Sequence, residues 1–152
     1  MSDDRTNEKT NAVSYGLKVT PEIKELIEDL RKSNAANKAV VFTVDDRYNL
    51  AVEENEDDCE PEDVGELLPL TEPRFVLYSY KWTRDDGRVQ FPLILIYYKP
   101  RESHSPTMNL VYSSSMNSIM ETCNVAGKVF DVNLADEITD DWLQKKLERC
   151  ST

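Results

Sequence analysis

The chain has 152 residues, of which 39% are apolar, and a formal net charge of −11, which suits one folded domain with its own core. An acidic excess of this size argues against nucleic acid and anionic membranes as main partners, because both bind basic surfaces. The longest apolar run, Phe91–Tyr98, is too short to insert across a bilayer. Residues 1–11 are polar and charged, so we predict no signal peptide and expect a cytoplasmic protein that can also enter the nucleus.

The residues that usually carry enzyme chemistry are few and scattered. Cys59, Cys123 and Cys150 have no zinc-type or redox-type spacing, so free thiols are expected. His104 is the only histidine and lies in a Ser/Pro-rich stretch, which leaves no base for a serine or cysteine nucleophile. The carboxylates of Glu53–Asp63 indicate a solvated acidic loop, without calcium-loop spacing. We therefore expect no enzyme activity, no metal and no cofactor.

The first predicted element is a helix that follows a tail. Residues 1–12 show no apolar periodicity and are predicted to be a flexible tail, whereas residues 13–149 are expected to form a single domain. Thr20–Glu22 supplies an N-cap, a proline and an acid. Arg31 and Lys32 end the helix, where cations are favoured. The apolar residues at helical spacing are Ile23, Leu26, Ile27 and Leu30.

A first hairpin is predicted next. Ala39–Val44 is rich in β-branched residues and Tyr48–Glu53 is its predicted partner strand, with a turn at Asp45–Arg47. The acidic loop then leads to one helical turn at Pro61–Leu67. Prolines that follow this turn end it.

Pro73–Pro100 reads PRFVLYSYKWTRDDGRVQFPLILIYYKP and predicts a long β-hairpin. Its two runs, Phe75–Trp82 and Val89–Tyr98, are rich in aromatic and β-branched residues. The turn is Asp85–Gly87, since glycine accepts positive φ and aspartate bonds to nearby backbone. The charged tip, Arg84–Arg88, is either a soluble end of the hairpin or a contact for a protein partner.

The last third of the chain alternates short strands and helices. Met108–Tyr112 is predicted as a short strand, Ser115–Ala126 as a helix with Gly127 after its end, and Lys128–Val132 as the last strand. Thr139 is the predicted cap of the final helix, whose inner side carries Trp142, Leu143 and Leu147.

Two methionines of the long helix lie one turn apart. We expect Met120 to pack in the core and Met116, among serine and asparagine, to be exposed as an adaptable contact. Taken together, the element order predicts an α/β domain with a mixed sheet and helices on both faces.

Four segments resemble one family. The hairpin Pro73–Pro100 and the closing segment Val129–Leu147 (VFDVNLADEITDDWLQKKL) resemble the glia maturation factors, which share the cofilin-like, actin-depolymerising factor homology fold. Ile23–Lys32 and Asn37–Glu53 resemble the first helix and first hairpin of that family more loosely. The turn DDGRV after the strand YSYK is the specific part, because cofilin differs there. The resemblance covers nearly the whole chain.

The resemblance implies a central mixed sheet of five to six strands sandwiched by helices. It implies a non-enzymatic regulator of the actin cytoskeleton that binds the actin-related protein 2/3 complex, promotes debranching of filaments and inhibits nucleation of branches. It also implies a monomer with weak or no binding to actin. The alternative is a cofilin-like protein that binds and severs actin filaments.

The resemblance further implies two contact surfaces. The helix surface would meet an actin-related subunit through the N-terminal arm, the start of the long helix and the turn before the last helix: Val13, Ser14, Tyr15, Met116, Asn117, Ser118, Met120, Glu121, Asp136, Glu137 and Ile138. The tip surface would meet the neighbouring actin subunit through the hairpin tip and the last helix: Arg84, Asp85, Asp86, Arg88, Gln144, Lys145 and Arg149.

The helix surface departs from the family pattern in its charge. Glia maturation factors of vertebrate type carry lysines where this chain has Met116 and Ser118, and cofilins carry a lysine cluster where it has Met120–Thr122. Losing those charges removes the feature with which a cofilin holds acidic actin. It also leaves open how tightly this helix holds the branching complex, because rim charges set association rate and specificity. The basic residues expected near this face are Lys128, Arg31 and Lys32.

Overall fold

A computed structural model of the chain describes residues 16–151, so the predicted tail and residues 13–15 of the helix surface lie outside the described residues. The first helix, α1 (Pro21–Ser33), begins as predicted: the Thr20 hydroxyl accepts a hydrogen bond from the backbone N–H of Ile23 at 3.3 Å. Ile27 and Leu30 on its inner face are buried.

The sheet is mixed, as predicted. The strands are β1 (Lys38–Val44), β2 (Leu50–Glu56), β3 (Arg74–Ser79), β4 (Trp82–Thr83), β5 (Val89–Gln90), β6 (Leu93–Tyr98) and β7 (Val129–Val132). Five of them form the central sheet in the order β2-β1-β3-β6-β7, and β4 and β5 pair separately. Within residues 16–151, the β6–β7 pair of this sheet is parallel and its other strand pairs are antiparallel.

Helices cover both faces of this sheet. They are α2 (Pro61–Val64), α3 (Pro106–Ser114), α4 (Met116–Cys123) and α5 (Asp140–Ser151), with 3-10 turns at Gly65–Leu67 and Ala135–Glu137. Side chains alternate along β3. Phe75 and Leu77 pack with α1, α3 and α4, whereas Val76 and Tyr78 pack with α2 and α5. This arrangement confirms the predicted α/β sandwich.

A close backbone approach positions the 3-10 turn before α5. A Cβ atom on Gly65 would lie 2.6 Å from the carbonyl oxygen of Ala135. Glycine therefore allows the segment after α2 to pack directly against Ala135–Glu137, which carries Asp136 of the predicted helix surface.

The long hairpin lies where the sequence predicted it, but its strands are interrupted. The central ladder ends at Ser79 and Leu93, and pairing resumes at Trp82 and Gln90. Between them the Tyr80 N–H donates to the Pro92 carbonyl oxygen at 3.1 Å. Pro92 has no N–H to donate in return, so the ladder breaks there.

Two predictions in the last third of the chain are wrong. Met108–Tyr112 is part of helix α3, because the Ser105 hydroxyl accepts from the Met108 N–H at 3.2 Å and Pro106 fills the first helical position. The following helix ends at Cys123 and not at Ala126, because Asn124 adopts a left-handed φ of 48° and ends it.

The strand after the first turn is also displaced from its prediction. Tyr48 has φ of 64°, which keeps it in the turn, and β2 runs from Leu50 to Glu56. Part of the predicted acidic loop is therefore an edge strand with outward-facing acids. Glu53 is held there by the buried Arg74, whose guanidinium donates to both carboxylate oxygens at 3.0 Å.

Candidate partner-binding surfaces

The hairpin tip is a closed turn with its own short sheet. The Arg84 N–H donates to the Arg88 carbonyl oxygen at 2.7 Å, and the Gly87 N–H donates to the Arg84 carbonyl oxygen at 2.9 Å. Gly87 has φ of 91°, a conformation that side chains disfavour, so the glycine of the predicted turn is needed there. These bonds fix the backbone that carries the charged residues of the tip surface.

The two arginines of the tip have different surroundings. The Arg84 guanidinium lies 4.0 Å from the centroid of the Trp82 ring and donates to Gln90 Oε1 at 3.0 Å, so it helps to hold the tip together. The Arg88 side chain is 61% exposed and bonds to Asp86 at 2.7 Å. Hydrogen bonds from the backbone N–H and then the guanidinium of Arg88 lower the pKa of Asp86.

The tip lies beside α5, as the tip surface requires. A depression of about 170 Å³ is lined by the tip and by Gln144 and Glu148 of α5. Lys145 and Arg149 are exposed on the same helix, and Lys145 pairs with Asp141 at 3.0 Å. The structure thus brings the hairpin and α5 parts together and adds Glu148, which lies one turn beyond Gln144.

A polar cluster joins the base of the hairpin to α5. The Tyr80 hydroxyl donates to Asp140 Oδ1, and the Gln144 amide donates to Asp140 Oδ2 at 2.6 Å. The Asp140 N–H in turn donates to Glu62 Oε2 at 2.8 Å. Burial raises the pKa of Tyr80, so its hydroxyl stays protonated and remains a donor at neutral pH.

Helix α4 presents a different methionine from the one predicted. Met116 is half-buried and packs against the core between α4 and the sheet, whereas Met120 is 37% exposed. The two assignments are therefore reversed, because Met116 lies at helical spacing from the buried Ile119 and Cys123 and so on the inner side of α4. Asn117 and Glu121 are exposed beside Met120.

Ser118 has a structural bond within the helix surface. Its hydroxyl accepts from the Leu17 N–H at 2.9 Å and so fastens the segment that follows residues 13–15 to α4. An open depression of about 600 Å³ borders this helix, lined by Asn117, Met120, Glu121 and the segment that leads into β7. This is the part of the predicted helix surface that the structure brings together.

Asp136 and Glu137 are exposed, but they belong to the other layer of the molecule. The neighbouring Ala135 packs on the side of the sheet covered by α2 and α5, whereas Met116 packs on the opposite side. Asp136 lines a separate depression with Leu70 and Leu134. The third part of the predicted helix surface thus does not share a depression with α4.

The basic residues expected near α4 include one that is already bonded. Arg31 donates to the carbonyl oxygens of Cys123 and Asn124 at 2.7 and 2.9 Å. Residues 116–123 contain neither lysine nor arginine. The exposed face of α4 is therefore polar and apolar with one acid, Glu121.

The cysteines and the histidine considered for chemistry have the following surroundings. Burial raises the pKa of the Cys59 thiol to about 11 and that of Cys123 to about 12, so neither is an activated nucleophile. Cys150 and His104 are exposed. Among residues 16–151, no group of three or more His, Cys, Asp or Glu side chains could hold a metal ion. No helix in that range is both long and apolar enough to cross a membrane.

Comparison with known proteins agrees with the fold. The family model of cofilin/tropomyosin-type actin-binding proteins matches residues 16–148. Human glia maturation factor beta is 32% identical over 140 residues, which cover 89% of this chain and 97% of that protein. Glia maturation factor of Drosophila melanogaster is 29% identical over 82% of this chain and 92% of its own.

Solved structures of related proteins superpose on this chain. The solution structure of glia maturation factor from Caenorhabditis elegans superposes with a TM-score of 0.73 at 32% identity, covering 86% of this chain and 95% of that one. Actin depolymerization factor 2 of Plasmodium berghei gives the same TM-score at 18% identity, covering 88% and 97%, and shares the fold. The chain therefore belongs to the cofilin-type, actin-depolymerising factor homology family and, within it, to the glia maturation factors.

Proposed function

We propose that this protein binds the actin-related protein 2/3 complex, promotes debranching of actin filaments and inhibits nucleation of new branches. The observation that carries the proposal is the combination of 32% identity to glia maturation factors over most of the chain with an α4 that has no basic residue. A cofilin-like hold on actin would need cations along this helix to meet an acidic partner. Weak or no binding to actin follows from the same observation.

We propose that α4 contacts the partner through shape and polar groups and not through basic side chains. Met120, Asn117 and Glu121 form its exposed face, and an exposed methionine adapts to an irregular partner surface. Val13, Ser14 and Tyr15 are proposed to extend this contact, because the backbone next to them is bonded to α4 through Ser118. Asp136 and Glu137 would meet the partner from the other layer.

The proposed second contact is the tip surface, directed at the neighbouring actin subunit. Arg84, Asp85, Asp86 and Arg88 supply mixed charge on a fixed turn, and α5 adds Lys145 and Arg149. A protein that touches both sides of a branch junction through these two surfaces would compete with the contacts that hold the branch.

The test is branch lifetime, observed by fluorescence microscopy with purified protein. We expect branches to dissociate faster as protein is added, and unchanged lifetime at micromolar protein would overturn the proposal. Strong co-sedimentation with unbranched filaments at physiological salt would favour the cofilin-like alternative instead.

A matched pair of variants maps the contact to α4. Met120→Glu places a charge on the proposed contact, whereas Val52→Glu places one on β2, at the sheet edge farthest from β7. Both side chains are 37% exposed, so the folding cost should be similar. We expect only Met120→Glu to lose debranching, and equal loss in both variants would contradict the assignment.

A further inference from the structure

We infer that Arg31, on α1, is a positioning residue for the helix surface: it fixes the end of α4 and does not contact the partner. The part of the inference that concerns partner binding rests on the proposed function. Its starting point is the fork of hydrogen bonds from the Arg31 guanidinium to Cys123 O at 2.7 Å and Asn124 O at 2.9 Å. These two residues lie 92 and 93 positions away in the chain.

The end of α4 needs such a partner. The last carbonyls of a helix have no partner within it, and α4 has eight residues, which is too few for stability on its own. The Asn124 N–H closes the helix by donating to Met120 O at 2.8 Å. The carbonyl oxygens of Cys123 and Asn124 take no part in that closure, and both accept from Arg31.

Arginine is suited to this role for two reasons. Its planar fork spans two neighbouring carbonyl oxygens, which the single ammonium of lysine cannot match. Its charge also lies in the last turn of α1 and at the end of α4, where two helix dipoles present their negative ends. One guanidinium thus stabilises two helix ends at once.

Arg31 is held from the core side, and each of its three side-chain nitrogens already donates a hydrogen bond within the protein. Ile27 and Leu30 anchor its turn of α1 in the core. Its Nε lies 3.4 Å from Glu28 Oε2, and the side chain is 28% exposed. The direction in which α4 presents Met120 is therefore set relative to α1 by this bond.

The experiment compares Arg31→Ala, Arg31→Lys and Lys32→Ala with the wild type. Lys32→Ala is the matched control, because it removes the same charge from the neighbouring exposed position. Amide hydrogen exchange of α4 is measured in the free proteins. Affinity and dissociation rate are then measured with purified actin-related protein 2/3 complex at several salt concentrations.

We expect Arg31→Ala to speed exchange in α4 and to weaken binding by roughly two- to thirtyfold through faster dissociation, with an unchanged salt dependence. In both exchange rate and affinity, Arg31→Lys should fall between Arg31→Ala and the wild type. Lys32→Ala should have the same exchange rate in α4 as the wild type. Arg31→Lys keeps the charge and the aliphatic stem. If Arg31→Ala does not fold, this variant alone tests whether the forked hydrogen bonds position α4.

Three results would overturn the inference. They are unchanged exchange in α4, full recovery in Arg31→Lys, or a loss confined to association rate and salt dependence, which would indicate a direct charged contact. Failure of the wild type to bind the complex would refute the proposed function alone. The exchange data on α4 would then still decide whether Arg31 positions that helix.

Discussion

Replacing Tyr80 with phenylalanine tests the link between the hairpin and α5. Tyr80 directly follows the last residue of β3 and is 2% exposed, and its hydroxyl donates to Asp140 in the first turn of α5. The ring stacks on Tyr78 with centroids 6.2 Å apart, and phenylalanine keeps this packing. The change therefore removes the hydrogen bond to the Asp140 carboxylate and the acceptor of a longer bond, 3.4 Å, from the Gln144 amide.

The expected loss can be worked out from these surroundings. A hydrogen bond to a charged group contributes about 1.5–3 kcal/mol. Asp140 is partly exposed and keeps its bond from Gln144, so the lower end applies. We expect Tyr80→Phe to lower the free energy of unfolding by about 1.5 kcal/mol, and the melting temperature by about 3–6 °C.

Urea and thermal denaturation measure this loss, with Tyr98→Phe as control. The Tyr98 hydroxyl donates to a neutral acceptor, Pro69 O, at 2.9 Å, so its loss should be smaller, about 0.5–1 kcal/mol. A loss below about 0.5 kcal/mol for Tyr80→Phe, or one no larger than that of Tyr98→Phe, would refute the reasoning.

Three further predictions concern the tip, α3 and alkaline pH. Branches should last longer with the Arg88→Glu variant than with the wild-type protein, because the variant loses a proposed contact. Its melting temperature should not fall, because the Arg88 side chain is 61% exposed. Tyr112→Phe should lower the free energy of unfolding, measured by urea denaturation, by about 1–3 kcal/mol. The reason is that the buried N–H of Val44 donates to the Tyr112 hydroxyl at 2.9 Å and would lose this acceptor. Stability should fall as pH rises above about 9. Burial raises the pKa of Cys123 to about 12 from 9.0 and that of Tyr97 to about 12 from 10.0, so the unfolded chain releases these protons first.

The controls for these three follow from the same structure. Arg47→Glu makes the same charge change in the exposed turn before β2 and should leave branch lifetime unchanged. Tyr112→Phe as stable as the wild type would show that Val44 finds another acceptor. For the pH series, equal free energies of unfolding at about pH 8 and pH 11 would contradict the assigned burial.

The fold was predictable where local signals agreed with one another. Thr20 and Pro21 marked the start of α1, and the aromatic run before the Asp85–Gly87 turn marked the hairpin. Met108–Tyr112 was misassigned because five apolar-rich residues fit a strand or a buried helix equally well, and the cap at Ser105 was the signal that could have decided it.

The candidate surfaces were less predictable, because they depend on tertiary contacts. Met116 is the exception, because Met116, Ile119 and Cys123 recur at helical spacing, and this stripe could have assigned Met116 to the buried side of α4. Glu148 reaches the tip only because α5 packs beside the hairpin, and no local pattern shows that contact. The bond from Arg31 to the end of α4 joins segments that are distant in the chain, which spacing alone could not indicate.

The most direct test of the proposed function is a side-by-side binding measurement. The labelled protein is titrated at physiological salt with the actin-related protein 2/3 complex and, separately, with monomeric actin, and the two dissociation constants are compared. We predict saturable binding to the complex and weaker or undetectable binding to actin. Tighter binding to actin, or none to the complex, would contradict the assignment of this protein as a debranching factor.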